Sequence, residues 1–111
     1  MSLVWVYHGN EYKRASDLDP NQVMLMISNG CDGVGQLINY VINNVLSTGN
    51  YRNVTARIYR GNDEYLAHFL INLANGSEEV MILVSKNPAD TLFNYYTLVS
   101  SENIIECKYV K

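Results

Sequence analysis

Residues 30–35, with the sequence Gly-Cys-Asp-Gly-Val-Gly, place a thiol and a carboxylate among three glycines. If the apolar residues just before this segment formed a strand, the segment would be a glycine-rich loop that leads into a helix. Backbone N–H groups at such a helix start bind anions, and the position also lowers the pKa of a cysteine. One interpretation is therefore an anion site formed by Cys31, Asp32, Gly33 and Gly35.

The same segment is faintly similar to the phosphorylated cysteine loop of the B components of sugar phosphotransferase systems. There, a cysteine at a strand end precedes glycines, hydroxyl residues and a helix. The resemblance implies a phosphate-binding, small-ligand-binding or phosphotransfer protein that uses Cys31, but it covers less than a fifth of the chain. Gln36 and Leu37 also stand where that family has hydroxyl side chains. In the structural alternative, which we favour, Asp32 caps a helix and Cys31 is a small, partly buried residue.

The two histidines, His8 and His68, are the other candidates for chemistry. A metal site or a nucleophilic triad requires a histidine to converge with carboxylates or a thiol. His8 lies in a predicted turn, and His68 lies on a predicted strand between Leu66 and Leu70, where the spacing reveals no partner. We therefore predict no catalytic residues, no metal and no cofactor, and we keep His68 as a binding candidate.

Tyrosine is abundant, with nine residues in a chain of 111. Tyrosine is enriched at protein interfaces because its ring buries a large area while its hydroxyl stays available for a hydrogen bond. The candidate binding residues also include two amides from the polar face of a predicted helix. The complete set is Tyr59, Tyr65, His68, Tyr95, Tyr96, Asn39 and Asn43. For each tyrosine the alternative is core packing with the hydroxyl at the rim.

Six segments have the composition of β-strands, and turn residues separate most of them. The predicted strands are residues 3–7, 11–14, 54–60, 64–73, 79–85 and 104–110. Turns at His8-Gly9-Asn10, Arg60-Gly61-Asn62-Asp63 and Ala74-Asn75-Gly76-Ser77 predict three hairpins, in which Gly-Asn and Asn-Gly tolerate positive φ.

The clearest predicted helix runs from about residue 33 to 48, with Asp32 as its cap and Gly49 at its end. Asp19-Pro20 and Asn87-Pro88 are typical helix starts. Residues 20–28 favour a short helix, although periodicity alone does not separate a helix from a strand there or at residues 91–99. Residues 100–103 predict a turn.

These elements predict one α+β domain over residues 1–111. We expect an antiparallel β-sheet of five to six strands packed against one main α-helix plus one or two short helices. The strands are apolar on both faces, whereas one helix covers only one face of a sheet. We therefore expect a protein partner or a second copy in a homodimer to cover the other face.

The net charge of −3 and the absence of a basic stripe disfavour a nucleic-acid partner. No apolar run is long enough to span a membrane, and residues 1–5 lack the pattern of a signal peptide. With only two cysteines, the simpler prediction is two free thiols in a reducing cytoplasm.

The leading functional hypothesis is a small, non-enzymatic, cytoplasmic protein-binding module. An inhibitor or modulator encoded by a phage or mobile element fits the Asn-rich and Tyr-rich composition. The alternatives are the phosphate or phosphotransfer protein described above and a structural homo-oligomer.

Overall fold

The structure, a computed structural model, describes residues 1–100 and 104–111. Six strands form one antiparallel sheet: β1 Leu3–His8, β2 Glu11–Arg14, β3 Asn53–Gly61, β4 Glu64–Leu73, β5 Gly76–Ser85 and β6 Ile105–Val110. Their order across the sheet is β2-β1-β5-β4-β3-β6. The predicted α+β class and all six predicted strands are confirmed.

The helices are α1 Pro20–Ser28, α2 Gly30–Gly35, α3 Ile38–Tyr40, a π-helix at Val41–Leu46, and α4 Pro88–Val99. Both helix starts agree with the sequence. The Asp19 carboxylate accepts a hydrogen bond from the Asn21 N–H at 3.0 Å, and the Asn87 side chain accepts one from the Asp90 N–H at 3.2 Å. The two segments left open between helix and strand are therefore both helical. The predicted turn at 100–103 lies, apart from Ser100, outside the described residues.

The first tight turn follows the expected residue chemistry, and the other two differ from it. Gly9 and Asn10 both have positive φ, 61° and 62°, as the favoured two-residue hairpin turn requires. In the next hairpin the positive φ falls on Asp63, at 57°, and not on the predicted Gly-Asn pair. Gly61 instead remains in the β3–β4 ladder, where it pairs with Glu64. In the third, Ala74 and Asn75 form the loop, and Gly76 already pairs with Leu73 in the ladder.

The predicted continuous helix over residues 33–48 is wrong, because residues 30–46 form a bent helical segment of α2, α3 and the π-helix. Asp32 lies inside the first turn of α2 and does not cap it. The segment ends at Ser47, which is left-handed, before the predicted Gly49. Three glycines within α2 lower its helix propensity. Gly33 also serves close packing, since a Cβ there would overlap the carbonyl oxygen of Met26 in α1.

Two layers of helices cover the two faces of the sheet. The first face, with Ala56, Phe69 and Ile82 at its centre, packs against α1 and the bent segment. On the second face, Leu92 and Tyr95 of α4 pack in a cluster of Tyr59, Leu66, Met81 and Leu83. The expectation that the helices leave the whole second face uncovered is therefore wrong, because α4 covers its centre. The helix that covers the second face is α4, which contains residues 91–99, where the sequence did not separate a helix from a strand.

Cys31 and Cys107 form a disulfide, with their Cα atoms 5.5 Å apart, so the prediction of two free thiols is wrong. The bond joins α2 to β6. Its partners are 76 residues apart in sequence, and they meet because β6 pairs with β3 beneath the helical layer. The Tyr109 hydroxyl donates to the Cys31 carbonyl oxygen and strengthens the same junction.

Candidate binding surface

One row of paired residues crosses the second face from edge to edge, at the border of the part that α4 covers. Each strand contributes one residue to the row, in the order β2, β1, β5, β4, β3 and β6. The row is Tyr12, Tyr7, Met81, His68, Arg57 and Glu106. Glu79 and Leu70 pair with each other on the same face, further from α4. We call these eight residues, together with Tyr96 of α4, the open face.

Tyrosines concentrate at one end of the open face. The rings of Tyr7 and Tyr12 pair across β1 and β2, with centroids 4.6 Å apart. Tyr96 approaches them from α4, and burial, Glu79 and both rings raise the pKa of its hydroxyl. Tyr12 is 38% exposed and Tyr96 46% exposed, so these two rings remain available for contact.

Tyr7 and Tyr96 line a groove of about 350 Å³. Its lining includes Tyr7, Tyr96, Met81, Glu78 and Glu79. We call these five residues and Tyr12 the aromatic groove. It combines flat apolar rings with negative charge, which is the combination that attracts a cationic side chain.

His68 lies beside the groove and makes two side-chain contacts. Its Nε2 atom is 3.0 Å from Glu79 Oε2, and its Nδ1 atom is 2.7 Å from the Tyr95 hydroxyl. Burial lowers the pKa of the imidazole and outweighs Glu79, which acts in the opposite direction. The neutral imidazole therefore donates from Nε2 to the carboxylate and accepts at Nδ1 from the Tyr95 hydroxyl.

Glu79, His68 and Tyr95 thus form a carboxylate–imidazole–hydroxyl series like that of nucleophilic triads. Tyr95 is 0% exposed, so a substrate cannot reach its oxygen. Burial raises the pKa of Tyr95 to about 12, although Arg57 acts to lower it. The series fixes α4 against the sheet and holds the Glu79 carboxylate beside the aromatic groove.

The residue spacing in the sequence reveals no partner for His68. The Asn-Gly turn does not contain the missing signal, because a loop with Asn75-Gly76 at its centre would pair Ala74 with Ser77 and place His68 opposite Leu83. In the structure, Ala74 and Asn75 form the loop. Counting outward from the pair Leu73–Gly76 places Leu70 opposite Glu79, and His68 is then the diagonal neighbour of Glu79. The partner therefore depends on a register that the structure shows and the turn sequence does not predict.

Tyr59, a predicted binding residue, belongs to a second polar cluster at the other side of α4. Its hydroxyl donates to Glu64 Oε2, which also accepts from Asn94 at 2.9 Å, while Thr91 donates to Oε1 at 2.7 Å. Burial raises the pKa of the Glu64 carboxyl, but the three hydrogen bonds outweigh it and lower the pKa overall. Burial and Glu64 raise the pKa of Tyr59 to about 12. This cluster secures α4 to the sheet.

The structure brings together Tyr59, His68, Tyr95 and Tyr96. Ring centroids lie 6.2 Å apart for Tyr59 and Tyr95, and 5.4 Å apart for Tyr95 and Tyr96. Of these four, Tyr96 and His68 belong to the open face, whereas Tyr59 and Tyr95 are buried beneath α4. Tyr7 and Tyr12 are not among the predicted site residues, although the Gly9-Asn10 turn marks the hairpin that pairs them.

The other predicted binding residues lie elsewhere. Tyr65 is half-buried against the first-face core. Asn39 and Asn43 are exposed on α3 and the π-helix, in the helical layer that covers the first face.

The proposed anion site at residues 30–35 loses its main chemical group, because Cys31 is in a disulfide and offers no thiolate. Asp32 is exposed within α2, and Gly33 packs against α1. Gly35 packs against the ring of Tyr109, which a Cβ would contact at 2.9 Å. Each glycine therefore has a packing role.

Within residues 1–100 and 104–111, no three His, Cys, Asp or Glu side chains are grouped so as to hold a metal ion. Over the same residues, no helix combines the length and apolar character needed to cross a membrane. The chain matches no protein-family model, no curated protein and no solved structure.

Proposed function

We propose that this protein is a non-enzymatic binding module that holds a segment of another protein in the aromatic groove. The observation that carries the proposal is that Tyr7 and Tyr96 line one groove and Tyr12 packs against Tyr7, so rings from three elements meet at one exposed surface. Tyrosine rings placed in this way supply a large contact area at low conformational cost.

The charges of the groove favour a partner segment that carries arginine or lysine. The Glu79 carboxylate lies on the same face as Met81, and the neutral form of His68 leaves its charge uncancelled. The Glu78 carboxylate points to the opposite face of β5, where it lies 3.0 Å from His8 Nε2. A guanidinium stacked on Tyr7 or Tyr96 would meet the Glu79 carboxylate at its edge. A net charge of −3 for the whole chain also favours a basic partner.

An inhibitor or modulator role, of the kind that phages and mobile elements encode, is compatible with such a surface and remains part of the proposal. For the compartment, the Cys31–Cys107 bond supports an oxidising environment over the cytoplasm that the sequence analysis expected.

Selection from a random peptide library displayed on phage tests the proposal directly. We expect selected peptides to be enriched in arginine or lysine beside an apolar residue. Substituting both exposed tyrosines, Tyr12→Ala with Tyr96→Ala, removes two ring contacts and raises the Kd of a selected peptide by about tenfold or more.

The matched control is Leu25→Ala, which removes an exposed apolar side chain from α1 on the other side of the molecule. We expect it to bind the peptide as tightly as the wild type does. Peptides that bind the double tyrosine variant and the wild type equally well would contradict the proposal. So would selected peptides without a basic residue.

A further inference from the structure

The two edge strands of the sheet differ in how open they are to further pairing. β2 is four residues long, entirely exposed, and contains Glu11, Lys13 and Arg14, which is typical of a protected edge. β6 is six residues long and pairs with β3 on one side, while none of the described residues pairs with its other side. The Cys31–Cys107 bond holds β6 in place, so this free edge is preformed.

The hydrogen bonds of the ladder determine which residues face the free edge. The Lys111 N–H donates to the carbonyl oxygen of Arg52, the residue just before β3. This hydrogen bond lies next to the pair Asn53–Val110. Backbone groups alternate in direction along a strand, so Ile105, Cys107 and Tyr109 bond to β3. The N–H and C=O groups of the even-numbered residues Glu106, Lys108 and Val110 therefore point outward.

We propose that two copies of this chain pair antiparallel along the free edge of β6, about a two-fold axis at Cys107. In a symmetric antiparallel pair, outward-facing residues must pair with outward-facing residues. An axis at Glu106 or at Lys108 would place that residue opposite its own copy, as like charges. The axis at Cys107 instead pairs Glu106 with Lys108 of the second copy, twice.

The apolar side chains of β6 are complementary in the same register. Val110, which is 85% exposed, comes opposite Ile104 of the second copy, and Ile105, which is 44% exposed, comes opposite Tyr109. Each exposed apolar residue thus gains an apolar cross-strand neighbour. Arg57 donates to Glu106 at 3.2 Å and positions its carboxylate on this edge of the sheet. The product is a continuous sheet formed by both copies.

Sedimentation equilibrium of the full chain tests this dimer. Lys108→Glu places glutamates at 106 and 108, and Glu106→Lys places lysines at both positions, so each variant repels its own copy. We expect each substitution to raise the dimer Kd by about tenfold or more, since two cross-strand pairs change from attraction to repulsion. An equimolar mixture of the two variants restores opposite charges, and we expect it to form a heterodimer.

The matched control is Lys13→Glu on β2, which makes the same charge change at the opposite edge and should leave the dimer Kd unchanged. Circular dichroism of each variant establishes that it is folded. A wild type that stays monomeric up to about 1 mM overturns the proposal. A dimer that is insensitive to both β6 substitutions, or a variant mixture that stays monomeric, also overturns it. The aromatic groove lies at the β2 side of the sheet, away from β6. The proposal of peptide binding and the proposal of dimerisation can therefore be contradicted separately.

Discussion

Reducing the Cys31–Cys107 bond should lower the stability of the protein by several kcal/mol. The bond closes a loop whose ends are 76 residues apart. The loss of loop-closure entropy in the unfolded chain then gives about 4.5 kcal/mol at 25 °C, from about 2.1 + 1.5R ln 76 cal/mol/K. Such a contribution is a large share of the stability of a small domain.

Urea unfolding measures this effect. With an m-value of about 1.5 kcal/mol/M, the midpoint should fall by about 3 M when the bond is reduced. Trp5 is a suitable fluorescence probe, because its indole N–H donates to the Ser85 carbonyl at 3.1 Å and reports on the β1–β5 pairing. Thiol titration before and after treatment with the reductant follows the bond itself.

Cys31→Ser is the control, because it removes the bond and leaves the buried Cys107 in place. We expect this variant to unfold at the midpoint of the reduced wild type and to show no further change with reductant. If the untreated wild type titrates two free thiols, the disulfide is refuted. A midpoint that complete reduction leaves unchanged would refute the entropic reasoning.

Two further predictions concern the clusters that hold α4 against the sheet. Glu64→Gln removes a charged acceptor of three hydrogen bonds and should lower the free energy of unfolding by about 2 kcal/mol in urea, whereas the exposed neighbour Asp63→Asn should change it by less than about 0.5 kcal/mol. An equal loss in both variants would contradict the role of Glu64. Because the folded pKa of His68 is lowered from 6.5, the unfolded state binds a proton first, and the free energy of unfolding should fall as pH drops below 6.5 toward the folded pKa. This slope should disappear in His68→Gln and persist in His8→Gln, as measured by urea unfolding at successive pH values. If the slope persists in His68→Gln, a group other than His68 causes it.

Local chemistry made most of the fold predictable. Gly9-Asn10 adopts the hairpin turn that its residues favour, and Asp19-Pro20 and Asn87-Pro88 begin helices where a capping side chain precedes a proline. The features that were missed depend on tertiary packing. Glycines that pack against α1 and Tyr109 break the expected main helix, and the Cys31–Cys107 pairing depends on where β6 joins the sheet.

The candidate site was predictable only in part. Tyr96 and His68 were selected for their residue types, and the structure places both on the open face. Tyr59 of β3 and Tyr95 of α4 were selected for the same reason, but both are buried between α4 and the sheet. Residue type alone does not show whether a tyrosine ring is buried there or exposed. The pairing of Tyr7 with Tyr12 follows from the Gly9-Asn10 turn, whereas their approach to Tyr96 depends on α4 crossing the sheet.

The most direct measurement is NMR of the wild type, with its tyrosine ring protons assigned, during titration with a selected arginine-containing peptide. We predict the largest chemical-shift changes at Tyr7, Tyr12 and Tyr96, with intermolecular NOEs from these rings to the arginine side chain. Shifts concentrated on α1 or on β6, with the three rings unperturbed, would contradict the assignment of the aromatic groove as the binding site.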